Sequence, residues 1–76
     1  MDFLEAARDA GYTGARRWYT ALDVARITGV GLAALGEETK AGRLRCRRDR
    51  RHGNAPKYKA EWVQAWLDSA GTEWWR

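Results

Sequence analysis

Side chains that do covalent or metal chemistry are scarce here: one cysteine (Cys46), one histidine (His52) and one serine (Ser69) stand among 76 residues. A single cysteine allows no disulfide within the chain, and a reducing compartment is its simplest home. His52 and Ser69 form no Ser/His pair unless distant parts of the chain meet, and the groups expected around such a pair are missing. Cys46 and His52 lack a CxxC or HxxxH partner and make a poor zinc site, so Cys46 reads as a structural thiol. "GVGLAALG" has its third glycine misplaced for a dinucleotide loop, with no strand and crossover unit around it. Long apolar runs are absent too. The opening "MDFLEAARDAG" carries acids and no secretory core, and no stretch approaches the roughly 20 apolar residues that span a bilayer. The expectation is a cytoplasmic protein with no enzymatic activity, no metal, no cofactor, no small-molecule substrate and no membrane contact.

What is present is uneven. "RLRCRRDRRHGNAPKYK", Arg43 to Lys59, holds eight cations against one acid, a surplus of seven, whereas the rest holds six cations against nine acids and is acidic by three. The whole net charge of +4 therefore comes from one patch. Five Trp, three Tyr and one Phe supply the contact area a chain this short needs, since at such a length folding buries only about 60% of the surface.

Periodicity divides the chain into 1–17, an N-terminal helix and linker, 18–70, the main domain, and 71–76, a tail. Asp2 is placed to cap a helix ending at Gly11, with Phe3, Leu4 and Ala7 on one face. "GYTGARRW" reads as linker. Thr20 with Asp23 three residues on forms a capping box for "ALDVARIT", which turns Val24, Ala25 and Ile27 to a core. "GVG" joins it to a second helix, "LAALGEETKAG", with Leu32 and Leu35 inward, its exposed side offering small residues and acids, and Gly42 as stop. "RLRC" alternates like a strand, Leu44 and Cys46 on one face and Arg43, Arg45 and Arg47 on the other; "DRRHGN" turns, and "PKYK" returns with Tyr58 inward, completing a β-hairpin. "AEWVQAWLDSAG" is an amphipathic helix, with Trp62, Val63, Trp66 and Leu67 as its core face and Gly71 as stop. The fold class is mainly α with a small β-hairpin.

The order helix, "GVG", helix, "GRL", basic hairpin, closing helix resembles the small winged helix-turn-helix proteins of the phage excisionase and MerR-type group. The resemblance lies in Tyr19, Thr20, Val24, Ala25, Gly29, Val30, Leu35, Gly42, Leu44, Tyr58, Trp62 and Leu67, and covers about Trp18 to Leu67. It implies a winged helix-turn-helix in which a strand ending at Tyr19 and Thr20 leads into the first helix. It further implies double-stranded DNA binding, with the second helix in the major groove and the hairpin as a wing. Its members direct an integrase toward excision in the host cell, bend DNA and associate head to tail on it, or act as small MerR-type transcription regulators.

Carried onto this chain, the wing contacts are Arg43, Arg45, Arg47, Lys57 and Lys59 on phosphates and Arg48, Arg50, Arg51 and His52 at the tip, where arginine suits a narrow minor groove. The second helix offers Gly31, Ala33, Ala34, Glu37 and Lys40. Glu can accept from cytosine N4 and Ala can touch a thymine methyl. Two acids, Glu37 and Glu38, also repel phosphates, and the alternative is that this helix is a scaffold while Arg16, Arg17 and the hairpin bind. Trp74 and Trp75 either fold back or meet a protein partner. Two further readings stand beside the resemblance: a charge run that merely solvates the surface, and a protein-interaction adaptor.

Overall fold

A computed structural model of the protein describes residues 1–12 and 18–69, the side chains of Asp49 and His52 excepted. Four helices and a three-stranded antiparallel sheet follow one another as α1 (Phe3–Asp9), β1 (Tyr19–Thr20), α2 (Ala21–Thr28), α3 (Leu32–Lys40), β2 (Arg47–Asp49), a 3₁₀ turn (Arg50–His52), β3 (Ala55–Tyr58) and α4 (Ala60–Ser69). Among the described residues no helix is long and apolar enough to cross a membrane.

Local chemistry sets the helix ends. Asp2 accepts from the Glu5 amide at the start of α1. At α2 the Thr20 hydroxyl accepts from the Asp23 amide (3.1 Å) and the Asp23 carboxylate accepts from the Thr20 amide (3.0 Å), so two orphan donors are satisfied reciprocally. The other Asp23 oxygen accepts from the Tyr12 hydroxyl at 2.9 Å and ties the chain before β1 to α2. α3 closes in a Schellman motif: the Gly42 amide donates to the Thr39 carbonyl and the Arg43 amide to the Glu38 carbonyl. That motif needs a left-handed residue, and Gly42 sits at φ +80°. It also turns Arg43 back beside α3.

The sheet order is β1-β3-β2, with Tyr19 opposite Tyr58 and Thr20 opposite Lys57 on one side, and Arg47 opposite Lys57, Arg48 opposite Pro56 and Asp49 opposite Ala55 on the other. Its inner face joins Phe3, Ala7, Val24, Ile27, Val30, Leu35, Leu44, Val63, Trp66 and Leu67 in one core with Tyr19 and Tyr58. Phe3 meets Tyr19 edge-on at 5.1 Å. The Tyr58 hydroxyl lies 2.8 Å from the Thr39 hydroxyl, and because Thr39 gives its single proton to the Leu35 carbonyl, Tyr58 is the donor. Burial pushes the Tyr58 phenol above its ordinary value, the Thr39 bond opposing. The Gln64 side chain of α4 holds the start of α1, accepting from the Phe3 amide and donating to the Met1 carbonyl.

Six expectations are corrected. Leu44 is buried and Arg43 and Arg45 are exposed, as alternation requires, but the strand begins at Arg47 and not at Arg43, because only from Arg47 onward does β3 supply a partner. Leu4 and Leu32 face solvent, Leu32 at 52% exposure; the inward positions beside them are taken by Phe3 and Leu35. Trp62 is half-buried at the surface, since α4 turns Val63, Trp66 and Leu67 to the core. Cys46 is partly buried against the core but precedes the strand. Glu38, placed among the outward residues of the second helix, is drawn inward by Trp66 and Arg43.

Candidate nucleic-acid interface

Strand alternation makes the outer face of the sheet. With Tyr19 and Tyr58 inward, Trp18, Thr20, Lys57 and Lys59 fall on the opposite side, and the register sets Thr20, Lys57 and Arg47 in one row across three strands. Trp18 and Lys59, one residue past the paired Tyr19 and Tyr58, extend this face, and the exposed Arg45 lies beside it over Trp62. Like charges directly opposite in a sheet destabilise it, so the pairing of Arg47 with Lys57 does not itself help hold the sheet together.

Two indoles stand within the cations. Trp18 and Trp62 meet edge-on at 5.7 Å. The Arg45 guanidinium lies 4.7 Å from the centre of Trp62, the Lys59 ammonium 5.4 Å from both rings, and the Arg47 guanidinium 5.9 Å from Trp18. Cation–π attraction acts within about 6 Å and restrains these long side chains over the rings. The sequence reading missed both tryptophans as site residues. The signal was present for Trp18, since it alternates with Tyr19 and only one of them can face the core. For Trp62 there was none: it shares a helical stripe with Trp66 and differs only in lying one turn nearer the end of β3.

Past this row the hairpin reverses through the 3₁₀ turn and through Gly53 and Asn54, at φ +68° and +63°. The Arg48 guanidinium donates to the Asn54 carbonyl at 3.1 Å, bracing the turn. Trp18, Arg47, Arg48, Arg50, Arg51 and Lys57 line one open cleft. Arg45 and Lys59 adjoin it through the tryptophans. Arg43 is set apart: its guanidinium is paired with the Glu38 carboxylate, Nε donating at 2.8 Å, so it anchors the loop to α3. Glu38 also accepts from the Trp66 indole at 3.1 Å. The Arg43 hydrogen bond first, then the Trp66 bond, hold the Glu38 carboxyl below its ordinary value against the opposing effect of burial.

No family model, no curated protein and no solved structure matches the chain.

Gly31, the N-cap of α3, and Ala33, Glu37 and Lys40 on the helix are exposed, together with Leu32 and Gly36, while Ala34 is half-buried against the core. One of the two acids expected to repel phosphate, Glu38, therefore points inward, and Glu37 alone is outward. Arg16, Arg17, Trp74, Trp75, the His52 side chain and the Gly71 stop lie outside the described residues.

Proposed function

We propose that the protein is a non-enzymatic binder of double-stranded DNA whose hairpin acts as the wing of a winged helix-turn-helix built on α2 and α3. The observation that carries the reading is the row in which Arg47 opposes Lys57, continued into a cleft lined by Arg48, Arg50, Arg51 and Trp18. A polyanion that threads this face relieves the repulsion and releases its own counterions, which supplies the driving force for binding. The element order, with a Tyr19–Thr20 strand feeding a capped α2, supports the closer reading of a phage excisionase-type factor. Such a factor bends its site, associates head to tail on repeats and steers an integrase toward excision. A MerR-type transcription regulator uses the same module and is told apart by its target sites.

The test is fluorescence anisotropy on a labelled random-sequence duplex of about 30 base pairs over a salt series. A log–log slope equivalent to about four to seven neutralised phosphates is expected. Negligible binding at low salt overturns the reading and leaves the adaptor, to be sought by pull-down. Circularly permuted duplexes carrying direct repeats then test bending, and cooperative retardation is the expected sign of the excisionase role.

A further inference from the structure

The inference rests on the nucleic-acid reading above and names the ligand of one part of that face. Five of the six side chains lining the cleft are cations, and the sixth is the Trp18 indole. Its volume, near 640 Å³, falls in the range of about 300–1,000 Å³ spanned by small-molecule sites. A fully paired duplex complements the cations but makes no use of the indole, because each base face in a stack is covered by its neighbours. An unstacked base uses both: its phosphates meet fixed positive charge and its ring meets an aromatic surface.

The distances separate the two tryptophans. Arg45 is over Trp62 at 4.7 Å, near enough to occupy that ring, whereas among the described residues the cations nearest Trp18 stand at 5.4 and 5.9 Å, toward the outer limit of such contacts. Trp62 is thus occupied by Arg45 and buttresses Trp18 from the side, and Trp18 is the indole that lines the cleft. We infer that this cleft seats an unpaired nucleotide, its base against Trp18 and its flanking phosphates on Arg47, Lys57 and the arginines of the turn. A protein that distorts a duplex gains from such a seat by capturing the base that the distortion frees.

The experiment compares two labelled duplexes of one sequence, one fully paired and one carrying a single extrahelical nucleotide at its centre, against wild type, Trp18→Leu and Trp18→Phe. Wild type is expected to bind the bulged duplex about tenfold more tightly, with quenching of tryptophan fluorescence. Trp18→Leu is expected to lose the preference, its affinities for the two duplexes becoming equal, and Trp18→Phe to keep part of it. Circular dichroism confirms that each variant is folded, and Trp18→Phe carries the test if the leucine variant is not. Equal affinity of wild type for both duplexes, or a preference that survives in Trp18→Leu, overturns the inference while leaving duplex binding intact. No binding to either duplex overturns the duplex reading with it.

Discussion

α3 and the basic hairpin are the two elements through which a helix-turn-helix protein with a wing would meet DNA, and they use their polar side chains in opposite ways. On α3, Glu38 accepts from Trp66 and Arg43, and Thr39 bonds both Leu35 and Tyr58. Those groups tie the helix to α4, to the loop after it and to the sheet. In the hairpin Arg48 braces the turn through the Asn54 carbonyl, but Arg47 faces Lys57, cation against cation, and the arginines lie around an open cleft. Polar groups that complete internal bonds explain themselves through the fold, whereas charges arranged against their own repulsion point to a partner outside it. α3 is therefore the anchored element and, on the proposed reading, the hairpin the presenting one.

The comparison breaks first, and with the largest effect, at Trp66. Trp66→Ala removes the indole that joins the core to Glu38 and is expected to cost about 3–5 kcal/mol of stability by denaturant titration. Loss well under about 1 kcal/mol would mean that α3 is not anchored through this contact. On the hairpin the signs reverse. Arg47→Ala with Lys57→Ala is expected to flatten the log–log salt dependence of duplex binding by about two units, while stability holds or rises by a few tenths of a kcal/mol. Unchanged binding would remove the outer sheet face from the interface.

Acid sharpens the same contrast. Because the Glu38 carboxyl is held low in the folded state, its contribution is complete above the ordinary carboxylate pKa of 4.5 and is lost as pH falls below that value. Glu38→Gln is expected to lower stability by about 1 kcal/mol at neutral pH and to lose less than wild type between neutral pH and pH 3, read from urea midpoints. Tyr58 works in the other direction. Its raised phenol leaves the fold unaffected below its ordinary pKa of 10.0 and costs stability as pH climbs past it, so Tyr58→Phe is expected to show less alkaline loss at a neutral-pH cost of about 1 kcal/mol. The smallest effect is expected at Glu37, the outward acid of α3. Glu37→Gln should change relative affinity among duplex sequences by no more than about twofold if α3 is a scaffold, and a marked change of preference would show that it reads bases.

Much of this could be read along the chain. The capping box of Thr20 and Asp23, the Gly42 stop and the apolar face of α4 are settled by residues within one or two turns of each other, so they are visible without the fold. The charge patch is equally visible, because charge is a property of composition. The assignments that went astray concern neighbouring positions of one element. Leu32 and Leu35 both suit an apolar face, as do Trp62 and Trp66, and which of them is covered depends on how each helix lies against its neighbours. Strand length failed for the same reason: "RLRC" alternates, yet a strand exists only where another strand donates to it.

The sequence by itself thus determined the helices, their caps and the place where positive charge gathers, since each follows from interactions a few residues apart. Only the tertiary structure decided that Glu38 turns inward, that Arg43 leaves the basic face to pair with it, and that Trp18 and Trp62 come to stand among Arg45, Arg47 and Lys59. The pairings of Trp66 with Glu38 and of Trp18 with Trp62 join groups remote along the chain, and nothing in a local pattern says which distant side chain will fill the space beside a given one.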